Sequence, residues 1–290
     1  MLETLFFCVG ISLIIELLFE LYPLLLTFAS KPNLSKYQGS WAIITGSTDG
    51  IGLGYCESFA KLGINIVQIS RTPSKLAQVS SDLTSKYGIQ VKNICRDFGQ
   101  CTKDPSKFFK GIFDEIGKLD IKILVNNVGY ISVSSFHQQD SSSLLLENAC
   151  NIWPIVFMSK FFLNFNKSTD KEKLIINLSS LSGTFGFKHS VNYAAGKSFD
   201  KVFSNVLSEE CVNSTSVQPG YISTPMTKNI KKKKFEISVK DYMEDNMKVI
   251  GKVKNTYGHF NHYLTAAVCY CTVGHRNLID NIFIRPVSRD

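Results

Sequence analysis

The stretch WAIITGSTDGIG, residues 41–52, constrains this chain more than any other. The apolar run Trp41-Ala42-Ile43-Ile44 reads as a buried parallel strand. It breaks at Thr45 into Gly46-Ser47-Thr48-Asp49-Gly50-Ile51-Gly52, and a helical pattern follows through Lys61. Strand, glycine-rich turn and helix together open a dinucleotide-binding unit. Bare backbone lets a pyrophosphate approach, and the helix N-terminus offers N–H groups and a positive dipole end. The T-G-x-x-x-G-x-G spacing departs from G-x-G-x-x-G, and no Lys-Ser/Thr follows as a P-loop requires. The competing reading is a glycine turn that binds nothing.

The elements after this turn alternate. A strand is expected at Asn65–Ser70, a helix at Pro73–Tyr87, and a strand near 90–95 followed by Asp97-Phe98. Next come a helix at Pro105–Ile116 and an apolar strand over 121–125, closed by Asn126-Asn127-Val128-Gly129. One long helix is expected over about 142–165. Pro154 should distort it around Cys150 and Asn151, because proline cannot donate to the carbonyl four residues back. A strand at Leu174–Leu178 leads to Ser179-Ser180, and a helix beginning near Val191 carries Tyr193 and Lys197. A last core strand, 212–217, ends in Gln218-Pro219-Gly220; a polar stretch with a helix near 239–252 follows. Strand–helix alternation without repeats predicts an α/β fold, a doubly wound parallel sheet of Rossmann type. At 290 residues the chain suits a single nucleotide-binding domain, 39–290, preceded by an apolar segment, 1–30.

Hydrophobic residues at 44% against 19% charged leave an apolar excess that must be placed. Residues 5–29 hold much of it, interrupted only by Glu16 and Glu20 among charges. The run is long enough for a bilayer, which takes roughly 20 residues, although each glutamate costs about 2.5–3.5 kcal/mol at the membrane centre. Three readings compete: a membrane anchor, an in-plane hairpin turning near Pro23, and a buried N-terminal helix. Lys31 and Lys36 follow the run, so the positive-inside rule keeps the rest of the chain cytosolic. The 11 residues of 263–273 are too short to span a membrane alone. The eight cysteines are scattered without metal-ligand spacing and read as reduced thiols; no metal site is expected. A net charge of +8 suits anionic cofactors, acidic substrates or a membrane surface, and no nucleic-acid motif accompanies it.

Two further positions carry chemistry. The second strand ends in Ser70-Arg71, where such folds read the adenosine ribose. A carboxylate there would repel a 2′-phosphate, whereas Arg71 pairs with one, so the residue favours NADP over NAD. Tyr193 and Lys197, four apart, lie on one helical face. A nearby ammonium favours phenolate, so Lys197 is expected to lower the Tyr193 pKa from its ordinary value near 10. Tyr193 can then exchange a proton with a carbonyl oxygen, which Ser180 holds by a hydrogen bond. The bland alternatives are an amphipathic tyrosine at a helix start, a serine capping a turn, and Asn151 on an exposed face.

TGSTDGIG, NNVG at 126–129, Ser180 thirteen residues before Tyr193, Y-x-x-x-K and PGYIST at 219–224 occur in one order. Over about 39–227 the chain thereby resembles the short-chain dehydrogenase/reductase family. With SRTPSKLAQVSSDL at 70–83, Asp97-Phe98, ILVNNVG and the apolar N-terminus, it is similar to one membrane-associated branch. That branch holds very-long-chain 3-oxoacyl-CoA reductases and 17-beta-hydroxysteroid dehydrogenases. YAAGK in place of the branch's usual YSATK, and Pro154 close after Asn151, depart from it. The resemblance implies that Ser180, Tyr193, Lys197 and Asn151 are catalytic, with Lys197 on the nicotinamide ribose and Asn151 supporting a proton-supplying water chain. It implies cofactor contacts from residues 46–52, Ser70, Arg71, Asp97, Asn127, Gly129, Pro219, Gly220 and Thr224, and a substrate-covering region over about 219–258. Ser180 would also touch the substrate. The implied activity is NADP(H)-dependent ketone reduction on a lipid-like substrate, in fatty acid biosynthesis or steroid metabolism, at the endoplasmic reticulum membrane. On the resemblance a long-chain 3-oxoacyl-CoA stands ahead of a steroid, and the Lys231–Lys234 run adds modestly to this: it suits coenzyme A phosphates, and equally a solvated loop or anionic lipid headgroups. No nucleic-acid partner is expected, and a homo-oligomer stays open. A catalytically silent, membrane-associated nucleotide-binding relative is the reading from a different class.

Overall fold

The structure, a computed structural model, describes residues 2–165, 173–210, 213–228 and 236–272. The Lys231–Lys234 run and position 212 lie outside the described residues. Apolar β-branched runs bounded by turn residues form the strands β1 (Trp41–Thr45), β2 (Asn65–Ser70), β3 (Val91–Cys95), β4 (Ile121–Asn126), β5 (Leu174–Leu178) and β6 (Asn213–Val217). The short β7 (Asn255–Thr256) completes a seven-stranded sheet of order β3-β2-β1-β4-β5-β6-β7, every neighbouring pair parallel. Parallel strands need crossovers, and the intervening helices cover both faces.

Side-chain alternation splits the core into two layers. Ala42, Ile44, Ile123, Val125 and Ile176 face one layer with Tyr55 and Phe59 of α2 (Gly50–Ala60), Leu83 of α3 (Pro73–Tyr87), and Tyr242 and Met247 of α9 (Val239–Val249). Ile43, Leu124 and Ile175 face the other, with Phe109 and Phe113 of α4 (Pro105–Ile116), Ala149 of α5 (Ser141–Asn151) and Met158 and Phe162 of α6 (Trp153–Asn164). Strand order reverses between β1 and β4, which opens a crevice at their carboxyl ends, the place where doubly wound sheets bind ligands.

Two expectations are corrected. The single helix over 142–165 is two helices, α5 and α6, meeting at Ile152, whose φ of −103° is wider than a regular helix uses while its ψ of −55° stays helical. Pro154 sits in the first turn of α6, where its missing N–H costs nothing, so it starts a second helix instead of bending one. At the N-terminus, α1 (Leu2–Ala29) runs through Pro23 unbroken, which removes the hairpin. Nor is α1 buried: Phe6, Phe7, Ile14, Leu18 and Leu25 are exposed. Its C-terminal end docks, with Leu24 against the cluster of Tyr257, Tyr263 and Ala266, the latter two on α10 (Phe260–Thr272), and Ser30 Oγ donating to the Lys248 carbonyl at 2.8 Å. Among the described residues no helix is long and apolar enough to cross a membrane.

Candidate active site

The turn after β1 closes on itself and on β4. Gly46 adopts φ +64°, and a Cβ on Gly52 would stand 2.2 Å from the Gly46 carbonyl oxygen and 2.5 Å from Asn127 Nδ2, so only glycine fits there. Asn127 Nδ2 donates to the carbonyls of Thr45 (2.9 Å) and Gly46 (3.1 Å). Buried Thr45 accepts at Oγ1 from the Asn127 and Val128 N–H groups at 2.9 and 3.0 Å and donates to the Val125 carbonyl at 3.1 Å. Asp49, at the N-cap of α2, makes no capping bond because its carboxylate pairs with Lys75 at 2.6 Å. The first turn of α2 therefore faces the crevice without a side-chain acceptor, which suits an incoming phosphate. Buried Ser47 Oγ also lacks a partner.

At the end of β2, Thr48 Oγ1 and Ser70 Oγ are hydrogen-bonded at 2.9 Å, and exposed Arg71 lines the same cleft. Among the described residues Arg71 has no ion-pair partner, whereas Arg96 beside it is held by Glu115 at 2.7 Å. Asp97 lines the cleft and also caps the turn that follows, accepting the Gly99 N–H at 3.0 Å.

At the other end of this cleft, Ser180 caps the short α7 (Leu181–Phe185), with the Ser182 N–H donating to Ser180 Oγ at 3.1 Å. A Cβ on Gly183 would lie 2.5 Å from the Lys197 carbonyl carbon, so α7 packs backbone to backbone against α8 (Val191–Glu209). Ser179 Oγ donates to the Lys197 carbonyl at 2.5 Å, and together these contacts bring Ser180 against the Tyr193 phenol. Lys197 Nζ lies 5.9 Å from the Tyr193 ring centre and donates to the Leu178 carbonyl at 2.6 Å and to Asp200 Oδ2 at 2.8 Å. The expectation that Lys197 brings the Tyr193 pKa down is corrected. Loss of water raises it, Lys197 and Ser180 oppose that without overcoming it, and the charges of Asp200 and Glu147 push the same way as burial. Lys197 itself sits above the usual lysine value: burial acts to lower it, and the Asp200 carboxylate outweighs that.

The sequence profile described as short chain dehydrogenase matches residues 40–234. The chain belongs to that family. Among curated relatives, the very-long-chain 3-oxoacyl-CoA reductase of Bos taurus is 33% identical over 250 residues, 82% of this chain and 77% of that one. The 17-beta-hydroxysteroid dehydrogenase type 3 of Homo sapiens is 33% identical over 239 residues, 80% and 74% of the two chains. A 7beta-hydroxysteroid dehydrogenase structure superposes at TM-score 0.74, 20% identical, covering 86% of this chain and 99% of the other. A short-chain dehydrogenase from Sphingobium yanoikuyae in complex with NADPH superposes at 0.67, 19% identical, covering 87% and 99%. As a family member the chain is an oxidoreductase that uses a nicotinamide dinucleotide.

Of the predicted short-chain dehydrogenase site residues, Gly46, Thr48, Asp49, Gly50, Ile51, Ser70, Arg71, Asp97, Asn127, Gly129, Ser180, Tyr193, Lys197, Pro219, Gly220 and Thr224 line one continuous cleft. Ser47, Gly52 and Asn151 lie behind its wall. Asn151 is 4% exposed, which removes the exposed-face alternative; its amide accepts the Tyr130 N–H at 3.0 Å and donates to the Tyr130 carbonyl at 2.8 Å. Sequence reasoning missed four residues that hold this cleft together: Thr45, Glu147, Asn192 and Asp200. Buried Glu147 accepts from the Ser132 N–H at 2.6 Å and from Asn192 Nδ2 at 2.8 Å, which ties the chain beyond β4 to the start of α8. Among the described residues no group of side chains could hold a metal ion, and their cysteines are free thiols.

Proposed function

We propose that this chain is an NADP(H)-dependent reductase of a ketone on a lipid-like substrate, and that a long-chain 3-oxoacyl-CoA is that substrate. One observation carries the reading. A single cleft runs from the glycine turn, past Ser70 and Arg71 at one end, to Ser180, Tyr193 and Lys197 at the other. NADPH supplies the hydride when bound. The uncapped start of α2 and the glycine turn would hold its pyrophosphate, Arg71 its 2′-phosphate, and Lys197 its nicotinamide ribose. Asp97, Asn127, Gly129, Pro219, Gly220 and Thr224 would line the remaining path.

Tyr193 holds the proton that the substrate oxygen needs. A phenol held above its ordinary value is fully protonated at neutral pH, so it serves as the acid in carbonyl reduction. Ser180 shares its hydroxyl with the same oxygen and fixes the carbonyl's direction. Asn151 acts through the Tyr130 backbone, fixing the wall beside Gly129.

The acyl chain would meet exposed apolar side chains at the cleft and on the segment beyond β4. Met226 lines the cleft and is 46% exposed; Val133 and Phe136 are exposed on the segment leaving β4, which the Ser134 N–H ties to the His189 carbonyl at 3.0 Å. The exposed apolar side of α1 would rest in a membrane where such substrates partition. Lys31 and Lys36 then keep the catalytic part, 39–290, on the cytosolic side of the endoplasmic reticulum. A steroid ketone is the second reading, favoured by the 17-beta-hydroxysteroid dehydrogenase relative at the same identity. NADPH oxidation by the purified chain with a panel of 3-oxoacyl-CoA esters and steroid ketones tests both readings. Turnover confined to steroids would replace the first with the second, and no turnover with any ketone would sink both.

A further inference from the structure

A lysine and an aspartate three residues apart on a helix ordinarily form an exposed pair of little consequence. Lys197 and Asp200 are different, because both are buried, with only Lys197 of the two lining the cleft: their side chains are 6% and 4% exposed. Their separation is 2.8 Å, and the second carboxylate oxygen of Asp200 has no partner. An ammonium has three N–H donors. Leu178 and Asp200 take two, which leaves one for the cleft that Lys197 lines. A buried ion pair is seldom the most stable filling for its space, since apolar side chains of similar volume often serve as well or better. Stability alone therefore gives little reason for a half-satisfied carboxylate here.

We propose that Asp200 is a positioning residue, which fixes the Lys197 ammonium on the cleft floor and partly balances its charge beside the Tyr193 phenol. The inference rests on the reading of Tyr193 and Lys197 given above. Burial pushes the Asp200 carboxyl up to about 6 against the pull of Lys197, so the carboxylate is present at neutral pH. Its charge raises the Tyr193 phenol, as does that of Glu147 from α5. A further titratable neighbour of the phenol is Tyr221, beyond β6, itself pushed up to about 12 by burial and so neutral at neutral pH. With Asp200 neutral, the Lys197 ammonium would act on the phenol without that offset and draw its pKa down over the pH range in which Lys197, itself then lowered by burial, keeps its proton.

The test is the pH profile of turnover with NADPH and a ketone for Asp200→Asn, with Asp200→Ser as a second variant should the first fail to fold. In a folded variant the alkaline limb should move to lower pH. Each unit of displacement lowers turnover at a fixed alkaline pH roughly tenfold. In the Lys197→Met background, adding either Asp200 substitution should leave NADPH affinity unchanged within about twofold, because the ammonium it positions is gone. A purely structural Asp200 would lower the melting temperature and leave the limb where it is, and that result overturns the proposal. Turnover surviving in Tyr193→Phe or Lys197→Met would instead overturn the underlying reading. Inactivity of those two beside a wild-type profile for the Asp200 variants would overturn only this inference.

Discussion

Replacing Thr45 by valine tests how the glycine turn is held, and the cost can be worked from three atoms. Thr45 Oγ1 accepts two backbone N–H groups, those of Asn127 and Val128, at 2.9 and 3.0 Å. Valine has nearly the same shape, so no cavity forms, but both donors lose their acceptor. A buried donor left without a partner costs ~1–3 kcal/mol. Both residues are half-buried on the cleft side, so the lower half of that range applies, which gives roughly 2–4 kcal/mol for the pair. With a urea m-value of about 3 kcal/mol/M for a chain of this size, the unfolding midpoint should fall by about 1 M with unchanged slope. Thr45→Ser keeps the hydroxyl and should recover most of the loss. Far-UV circular dichroism against urea reads it, and NADPH affinity should fall in parallel as the Gly46 turn loosens. A Thr45→Val chain as stable as wild type would refute the assignment of this hydroxyl as the clamp between β1 and β4.

Arg71→Ala should weaken NADPH binding about tenfold or more and leave NADH nearly unchanged, as for loss of one charged hydrogen bond; equal losses for both, measured by fluorescence titration, would make Arg71 structural. His262 is wholly buried between the Tyr257 and Tyr221 carbonyls, and burial lowers its pKa to about 4. The unfolded imidazole protonates at a higher pH than the folded one. Its contribution to stability is therefore full above about 6.5 and is lost as pH falls toward 4, on the order of 3 kcal/mol. His262→Gln should flatten that part of the stability–pH curve, and an unchanged curve would assign the acid sensitivity elsewhere. Removing residues 1–29 should free the chain from membranes on alkaline extraction while NADPH binding persists; a full-length chain wholly in the soluble fraction would contradict the role given to α1.

Much of this arrangement was legible in the sequence, for reasons that differ by residue. Valine- and isoleucine-rich runs between glycines and polar turns mark β2 and β5 to the residue, and Pro73 and Pro105 start α3 and α4 where proline belongs. The five residues of α7 and the two of β7 went unseen because one helical turn or one bridge has no period to read. The break falls at Ile152 because Pro154 fits the first turn of a new helix, where no N–H is needed, and the spacing alone does not show whether a proline bends one helix or opens the next. Site residues joined by a local motif, the glycine turn and Tyr193 with Lys197, stood out. Thr45, Glu147, Asn192 and Asp200 did not, since each matters only through partners that folding brings to it. The pKa of Tyr193 went astray for the same reason: the spacing shows Lys197 but neither the loss of water nor the Asp200 charge that offsets it.

The central claim is that Tyr193 delivers the proton in an NADPH-dependent ketone reduction, and Tyr193→Phe measures it most directly. The substitution removes one oxygen and leaves the ring that lines the cleft. With a 3-oxoacyl-CoA as substrate, turnover should fall by roughly a hundredfold to ten-thousandfold, the usual worth of a positioned acid. NADPH affinity should stay within about twofold of wild type, because the glycine turn, Arg71 and Lys197 are untouched. Near-normal turnover in Tyr193→Phe, with the chain folded and NADPH bound, would contradict the account.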